Sequence, residues 1–96
     1  MSAYILTFRS DPTHTPTAEQ EQLWVTWFNE IGEHIADFGQ RVGNAVMLGD
    51  EPAAPDRLSG YITVNADDLD SAVKIASGCP GLTYGGRVEV GEPVAM

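Results

Sequence analysis

Positive charge and cysteine are both scarce in this sequence. Five Lys and Arg stand against 14 Asp and Glu, for a formal net charge of −9. Proteins that bind nucleic acids or anionic membranes need a basic patch, so we expect neither kind of partner. Cys79 is the single cysteine. It excludes an intrachain disulfide, and with it the class of small secreted domains that disulfides hold together.

Long apolar runs and cofactor motifs are lacking too. The apolar run at residues 3–8 is too short for a signal-peptide core or a membrane span, and we therefore expect a cytoplasmic protein. The sequence contains no G-x-G-x-x-G or Walker loop, no H-E-x-x-H and no C-x-x-C. No nucleotide or zinc chemistry is therefore indicated, and we assign no cofactor and select no metal ligands.

The sequence does contain the pattern of one small α+β domain spanning residues 1–96. Thr17 has the residue type of a helix N-cap, and Gln20 that of its capping-box partner. Apolar residues then recur at helical spacing as far as Phe38, just before Gly39. A second helix is expected after an Asp67 cap. The patterns together predict strands at residues 3–9, 41–49, 58–65 and 87–94, and helices at residues 17–38 and 68–77.

This order, β-α-β-β-α-β, predicts a ferredoxin-like fold in which both helices cover one face of the sheet. The first strand is apolar on both of its faces, which indicates that the open face of the sheet is covered as well. A second copy of the same sheet is the simplest cover and would give a homodimeric α+β barrel. A ligand groove on a monomer is the alternative. The expected dimer interface is formed around Tyr4, Leu6, Phe8, Tyr61, Thr63 and Val90, or by the opposite set if the faces are reversed.

Candidate catalytic residues fall on the predicted first helix. Glu30, His34 and Asp37 are spaced by four and three residues, which would place them on one stripe of a helix. A histidine between carboxylates can act as a general acid or base. The same three side chains could instead hold a divalent metal, or form a solvated polar flank. We select His34 and Asp37 as candidate catalytic residues.

A second candidate, His14, lies in the loop after the first strand, close in sequence to Arg9 and Asp11. In the predicted fold this loop borders the opening between sheet and helix, where ligands enter. We therefore select His14 as a further catalytic candidate and Arg9 as a ligand-binding one. Trp27 and Tyr61 are candidate pocket residues, although an aromatic stripe such as that around Trp27 is more often core.

The C-terminal third, from Gly60 to Val94, carries a recognisable pattern. It consists of a glycine-aromatic strand, a helix with alanines that ends in Cys-Pro, and a closing G-x-apolar-E-V strand. Its positions are Gly60, Tyr61, Ala72, Ala76, Cys79, Pro80, Gly86, Val88, Glu89 and Val90. On these residues the segment resembles the YCII-related proteins and their DGPF-domain branch, although the DGPF signature itself is absent here.

The resemblance implies a dimeric ferredoxin-like barrel, and in the shorter branch a catalytic His and Asp near the first helix. Two functional hypotheses follow. The first is a small-molecule-binding protein with a pocket between the sheet and the first helix, acting on its ligand through histidine acid/base chemistry. The second is a non-catalytic dimeric module that acts through a protein partner, as relatives of the DGPF branch are suggested to do beside transcriptional regulators. Whether the protein is an enzyme stays open at this point.

Overall fold

The protein is a two-layer α+β domain in a computed structural model that describes residues 2–50 and 56–95. Two short 3₁₀ turns, Gly32–His34 and Pro80–Tyr84, lie between its main elements. These elements are β1 (Ser2–Ser10), α1 (Ala18–Glu30), β2 (Ile35–Arg41), β3 (Arg57–Ala66), α2 (Leu69–Ala76) and β4 (Arg87–Gly91). The predicted order β-α-β-β-α-β is thus confirmed.

The four strands form one antiparallel sheet in the order β2-β3-β1-β4, which is compatible with a ferredoxin-like fold. The first and third strands lie in the middle, as the sequence predicts. Both helices contribute to a single hydrophobic core on one face of the sheet. The molecule is consequently a slab, 37 × 36 Å across and 20 Å thick, and its second sheet face has no helix of the described residues against it.

Strand alternation decides which side chains enter the core. Leu6 and Val64 are fully buried, and the register pairs Leu6 with Ile62 and Tyr4 with Val64. The predicted dimer interface was therefore wrong, because it combined residues from both faces of the sheet. Its members Tyr4, Leu6, Phe8 and Val90 belong to or pack against the helix-side core. Its members Tyr61 and Thr63 stand opposite Thr7 and Ile5 on the other face, because side chains alternate along a strand.

The first helix begins as predicted and ends early. Thr17 accepts the backbone N–H of Gln20, and Gln20 reaches back to the Thr17 N–H, which completes the capping box. The predicted end at residue 38 is wrong, since α1 ends at Glu30 and Ile31 leaves helical geometry with φ −94° and ψ 5°. Gly32, which favours neither helix nor strand, follows directly.

The second strand is displaced toward the N-terminus. It was predicted at residues 41–49, whereas β2 runs from Ile35 to Arg41 and pairs with β3, for example Ile35 with Val64. Residues 42–50 form no strand. Gly39 has φ +58°, and a Cβ there would lie 2.0 Å from the Tyr61 carbonyl oxygen. Only glycine fits this position, and the register of β2 shifts between Asp37 and Gln40, across Gly39.

The remaining boundaries move by a few residues. Asp68, not Asp67, caps α2 by accepting the Ser71 N–H, so the helix covers Leu69–Ala76. The last strand stops at Gly91 rather than residue 94, before Pro93, which has no N–H to donate to a neighbouring strand. The connector predicted at residues 49–57 lies largely outside the described residues. No helix in residues 2–50 and 56–95 is long and apolar enough to cross a membrane.

Candidate functional site

A cavity of about 670 Å³ lies where the C-terminal end of β1 meets α1. Its apolar walls come from Phe8 of β1, Trp24 and Phe28 of α1, and Phe38 of β2. Residues 42–45 and the 3₁₀ turn at Tyr84 complete it. We call this space the α1 cavity. Its volume falls in the range of about 300–1,000 Å³ that is typical of sites for small organic molecules.

The aromatic wall is a packed cluster. The Phe8 ring meets the Trp24 ring edge to face, with 5.0 Å between centroids, and Trp27 stands behind them at 5.9 Å from Phe8. Trp27 is only 4% exposed and belongs to the core. Such edge-to-face contacts favour a fixed arrangement of rings. The wall is therefore a formed surface against which a planar apolar group can pack.

Hydrogen bonds fix the orientation of His14. Gln20 Oε1 accepts the backbone N–H of Thr17, which identifies this atom as the amide oxygen. His14 Nε2 lies 3.0 Å from the same oxygen and must therefore donate to it. In the neutral ring this places the proton on Nε2 and leaves Nδ1 with a lone pair. Gln20, the capping-box partner of Thr17, thus orients the His14 ring.

Tyr84 lies beside His14 on the wall of the cavity. Their ring centroids are 5.3 Å apart, with the planes tilted by 32°. Trp24 Nε1 donates to the Tyr84 hydroxyl oxygen at 2.5 Å. An indole N–H can only donate, so the Tyr84 hydroxyl accepts this bond and keeps its own proton to donate elsewhere. A proton acceptor and a proton donor therefore adjoin each other here.

The loop that carries His14 is itself ordered by side-chain bonds. Asp11 Oδ1 accepts both the backbone N–H and the hydroxyl of Thr13, at 2.8 and 2.7 Å. The backbone N–H of His14 donates to the backbone carbonyl oxygen of Asp11 at 3.0 Å. The bonds from Thr13 lower the pKa of the Asp11 carboxyl, and the nearby His14 contributes further. Asp11 is therefore a structural anchor of the loop.

Positive charge concentrates at this cavity. Four of the five cations in the chain line it, namely Arg9, Arg41, Arg57 and Arg87. Arg87 forms a two-pronged ion pair with the buried carboxylate of Asp56, with Nε to Oδ2 at 2.5 Å and Nη2 to Oδ1 at 2.9 Å. The hydrogen bonds from Arg87 hold the pKa of Asp56 below its ordinary value, aided by the charges of Arg9 and Arg57.

The structure brings together some of the residues selected from the sequence and separates others. Arg9, His14 and Tyr61 line the α1 cavity, whereas Trp27 does not. His34 and Asp37 do not line it either. The expected helical stripe of Glu30, His34 and Asp37 does not form, because α1 ends before two of its members.

His34 and Asp37 each have a local contact instead. His34 Nε2 lies 3.5 Å from the Glu33 carboxylate, and Asp37 Oδ1 accepts the Gly39 N–H at 2.6 Å. The latter bond supports the turn of the chain at Gly39. No group of three or more potential metal ligands occurs in residues 2–50 and 56–95.

Tyr84, Trp24 and the three later arginines were not selected from the sequence as site residues. Trp24 and Tyr84 are 60 residues apart in sequence, so no local sequence pattern predicts their hydrogen bond. The scarcity of cations could have indicated that the arginines matter, since each arginine in so acidic a chain calls for an explanation. Cys79 lies at the cavity floor, and burial raises the pKa of its thiol. A buried thiol with a raised pKa is typical of a structural cysteine rather than a reactive one.

Comparison of the sequence with models of known protein families and with curated proteins finds no match. Any assignment of function therefore has to come from the α1 cavity itself.

Proposed function

We propose that the protein binds a small organic molecule in the α1 cavity and exchanges a proton with it through His14. The observation that carries this proposal is the hydrogen bond that orients His14. In the neutral ring Nε2 donates to Gln20 and Nδ1 is the acceptor, and the Tyr84 hydroxyl beside it has a proton to donate.

The pair supports a reaction that removes a proton from carbon or oxygen while a neighbouring oxygen gains charge. His14 Nδ1 would accept the proton, and the Tyr84 hydroxyl would donate a hydrogen bond to the developing oxyanion. Histidine is the side chain that most often performs such transfers in enzymes. The aromatic wall of Phe8 and Trp24 would orient the substrate and exclude water from its reacting edge.

Paired histidine variants test this proposal. A thermal-shift screen of the wild-type chain against small metabolites should give stabilising ligands, since a ligand at 100 times its Kd adds about 2.7 kcal/mol. His14→Gln should abolish turnover of such a ligand and leave the melting temperature of the free protein nearly unchanged, because His14 is exposed. His34→Gln is the matched control and should keep full activity. Loss of turnover in H34Q with retention in H14Q would overturn the assignment.

Membership of the YCII-related family is part of the same proposal. It is supported by the resemblance between Gly60 and Val94 and by an element order and sheet order compatible with that fold. The single cysteine supports a reducing, cytoplasmic location.

A second candidate function is that of a homodimeric interaction module, with or without a further protein partner. Its support is the sheet face opposite the helices. Ile5 and Tyr61 are 37% and 38% exposed on this face. Thr7, the register partner of Tyr61 on this face, has a buried hydroxyl that finds no partner among the described residues. Covering this face with a second sheet would remove apolar area from water.

A further inference from the structure

We infer that the ligand of the α1 cavity is an organic carboxylate, held at the sheet end of the cavity by Arg9 and Arg87. This inference rests on the proposed function and adds the chemical class of the ligand. It comes from three independent observations: the distribution of charge, the register of β1 with β4, and the way Asp56 holds one of the two guanidinium groups.

The charge around the α1 cavity is opposite in sign to that of the chain. Among the described residues its lining includes four arginines and two carboxylates, Asp11 and Glu21. The Asp56 carboxylate is paired with Arg87 at the edge of the cavity, which leaves a local formal charge of +1. The rest of the sequence has one cation, Lys74, and eleven carboxylates. An approaching anion is therefore repelled by most of the surface and attracted at one place, and a cleft focuses that field.

Arg9 and Arg87 are direct register partners on β1 and β4. Like charges placed directly opposite each other destabilise a sheet, so this pair costs free energy unless an anion lies between or beside the two groups. Asp56 supplies one anion, which bonds to Arg87 and whose charge also reaches Arg9. The Arg9 side chain itself has no hydrogen bond or salt bridge within residues 2–50 and 56–95. A second anion, supplied by a ligand, would balance the positive charge of Arg9.

Asp56 also prepares Arg87 for a ligand. The two-pronged bond from Nε and Nη2 fixes the plane of the guanidinium, yet the Arg87 side chain is still 58% exposed. The Nη1 donors remain outside that bond. A group that is already held in place loses little entropy when it binds, which strengthens binding without additional contacts. Asp56 therefore acts as a positioning residue.

A carboxylate fits this arrangement better than a phosphate. Phosphate sites are usually built from backbone N–H groups at a helix N-terminus or in a glycine-rich loop. At α1 the N–H groups of Thr17 and Gln20 are already bonded within the capping box, and the sequence has no phosphate loop. The forked guanidinium matches the two oxygens of a carboxylate, and the wall of Phe8, Trp24 and Phe28 suits an apolar body.

A series of acids and their amides tests this inference on the full chain. Benzoate, phenylacetate and cinnamate would be titrated against the ¹⁵N-labelled protein, each beside its neutral primary amide and beside inorganic phosphate. We expect the acids to bind at least 10-fold more tightly than their amides, and binding to weaken as salt is added. Arg9→Gln should weaken acid binding by about 10- to 100-fold. Lys74→Gln removes the same charge away from the cavity and should change it by less than about 2-fold.

Each other outcome contradicts the inference in a different way. Amides that bind as tightly as acids, with R9Q unchanged, would overturn the carboxylate and leave the proposed function standing. Phosphate that binds more tightly than every acid would replace the carboxylate by a phosphate. If neither series binds at all, the cavity is no ligand site and both proposals are lost. Should R9Q fail to give a folded spectrum, Arg9→Lys keeps the charge without the fork and should still weaken the acids selectively.

Discussion

Arg87 on β4 and Asp56, directly before β3, are joined by two hydrogen bonds, from Nε to Oδ2 and from Nη2 to Oδ1. The two residues are 31 positions apart in sequence, and the central strand β1 separates their strands in the sheet. Asp56 thus ties the two flanks of β1 together at the edge of the α1 cavity. It is the only charged side chain in the buried class among the described residues.

The pH dependence of stability should report this ion pair. The pKa of Asp56 is lowered in the folded protein from an ordinary value of 3.8, chiefly by the hydrogen bonds from Arg87. The ionised carboxylate therefore stabilises the fold above pH 4, and this contribution is lost as the pH falls through the lowered pKa. Asp56→Asn should lower the free energy of unfolding at pH 7 and flatten its decline in acid.

Urea unfolding between pH 2.5 and 7 measures this effect. Asp67→Asn is the matched control, because Asp67 is exposed and caps no helix, and its acid decline should follow that of the wild type. An acid decline in D56N as steep as in the wild type would show that Asp56 is not the carboxyl responsible. The helix cap Asp68, whose pKa is lowered by its bonds to Ser71, would then be the next residue to test.

The hydroxyl of Tyr84 should contribute to stability as well as to the site. Tyr84→Phe removes the acceptor of the Trp24 indole N–H and leaves that donor half-buried without a partner. We expect a loss of about 1 kcal/mol in the free energy of unfolding. Tyr61→Phe is the control, since Tyr61 is 38% exposed, and it should change stability by less than about 0.5 kcal/mol. Equal effects of the two substitutions would contradict the bond.

The helix-side core should be far more sensitive to truncation than the outer face of α1. Leu6 is 0% exposed and Leu23 is 50% exposed. Leu6→Ala should cost about 2–5 kcal/mol, which is a large part of the stability of so small a domain, whereas Leu23→Ala should cost less than about 1 kcal/mol. Thermal or urea unfolding of the two variants measures the difference. Similar losses would mean that β1 has its faces reversed.

The proposed homodimer depends on the sheet face that carries Ile5. Ile5→Lys places a charge at its centre and should convert a dimer to a monomer in sedimentation equilibrium, because an unpaired charge in a buried interface is strongly disfavoured. Leu23→Lys adds the same charge on the outer side of α1 and should leave the dimer intact. A wild-type chain that sediments as a monomer at high micromolar concentration would contradict the homodimer. Dissociation by L23K alone would place the interface on the helices.

The extent to which the sequence predicts this fold differs between its two halves. Beyond Gly60, strand alternation and the Asp-rich helix start are local signals, and they locate β3, α2 and β4 to within a few residues. In the first half, Ile31, Ile35 and Phe38 have spacings that suit a helix, and they extended the predicted α1 into β2. Pairing with β3 decides that segment, and such long-range pairing overrides local propensity.

The candidate site could be predicted from the sequence only for residues whose role does not depend on a distant partner. His14, Arg9 and Tyr61 could be selected because their loop and strands were placed correctly. Arg87 could not, since its importance comes from standing opposite Arg9 in the register and from the bond to Asp56. Likewise His34 and Asp37 were selected for a helical geometry that ends at Glu30. A site assembled from several strands depends on register, which a single sequence specifies weakly.

The proposed function depends above all on the α1 cavity being the ligand site. The most direct test is a ¹H–¹⁵N NMR titration of the wild-type chain with the tightest ligand from the screen. We expect the largest shift changes at the Trp24 indole N–H, at the Arg9 and Arg87 side chains and along residues 11–14. Changes confined to the open sheet face around Ile5 and Thr63, or to the turn at His34, would contradict the account and move the site elsewhere.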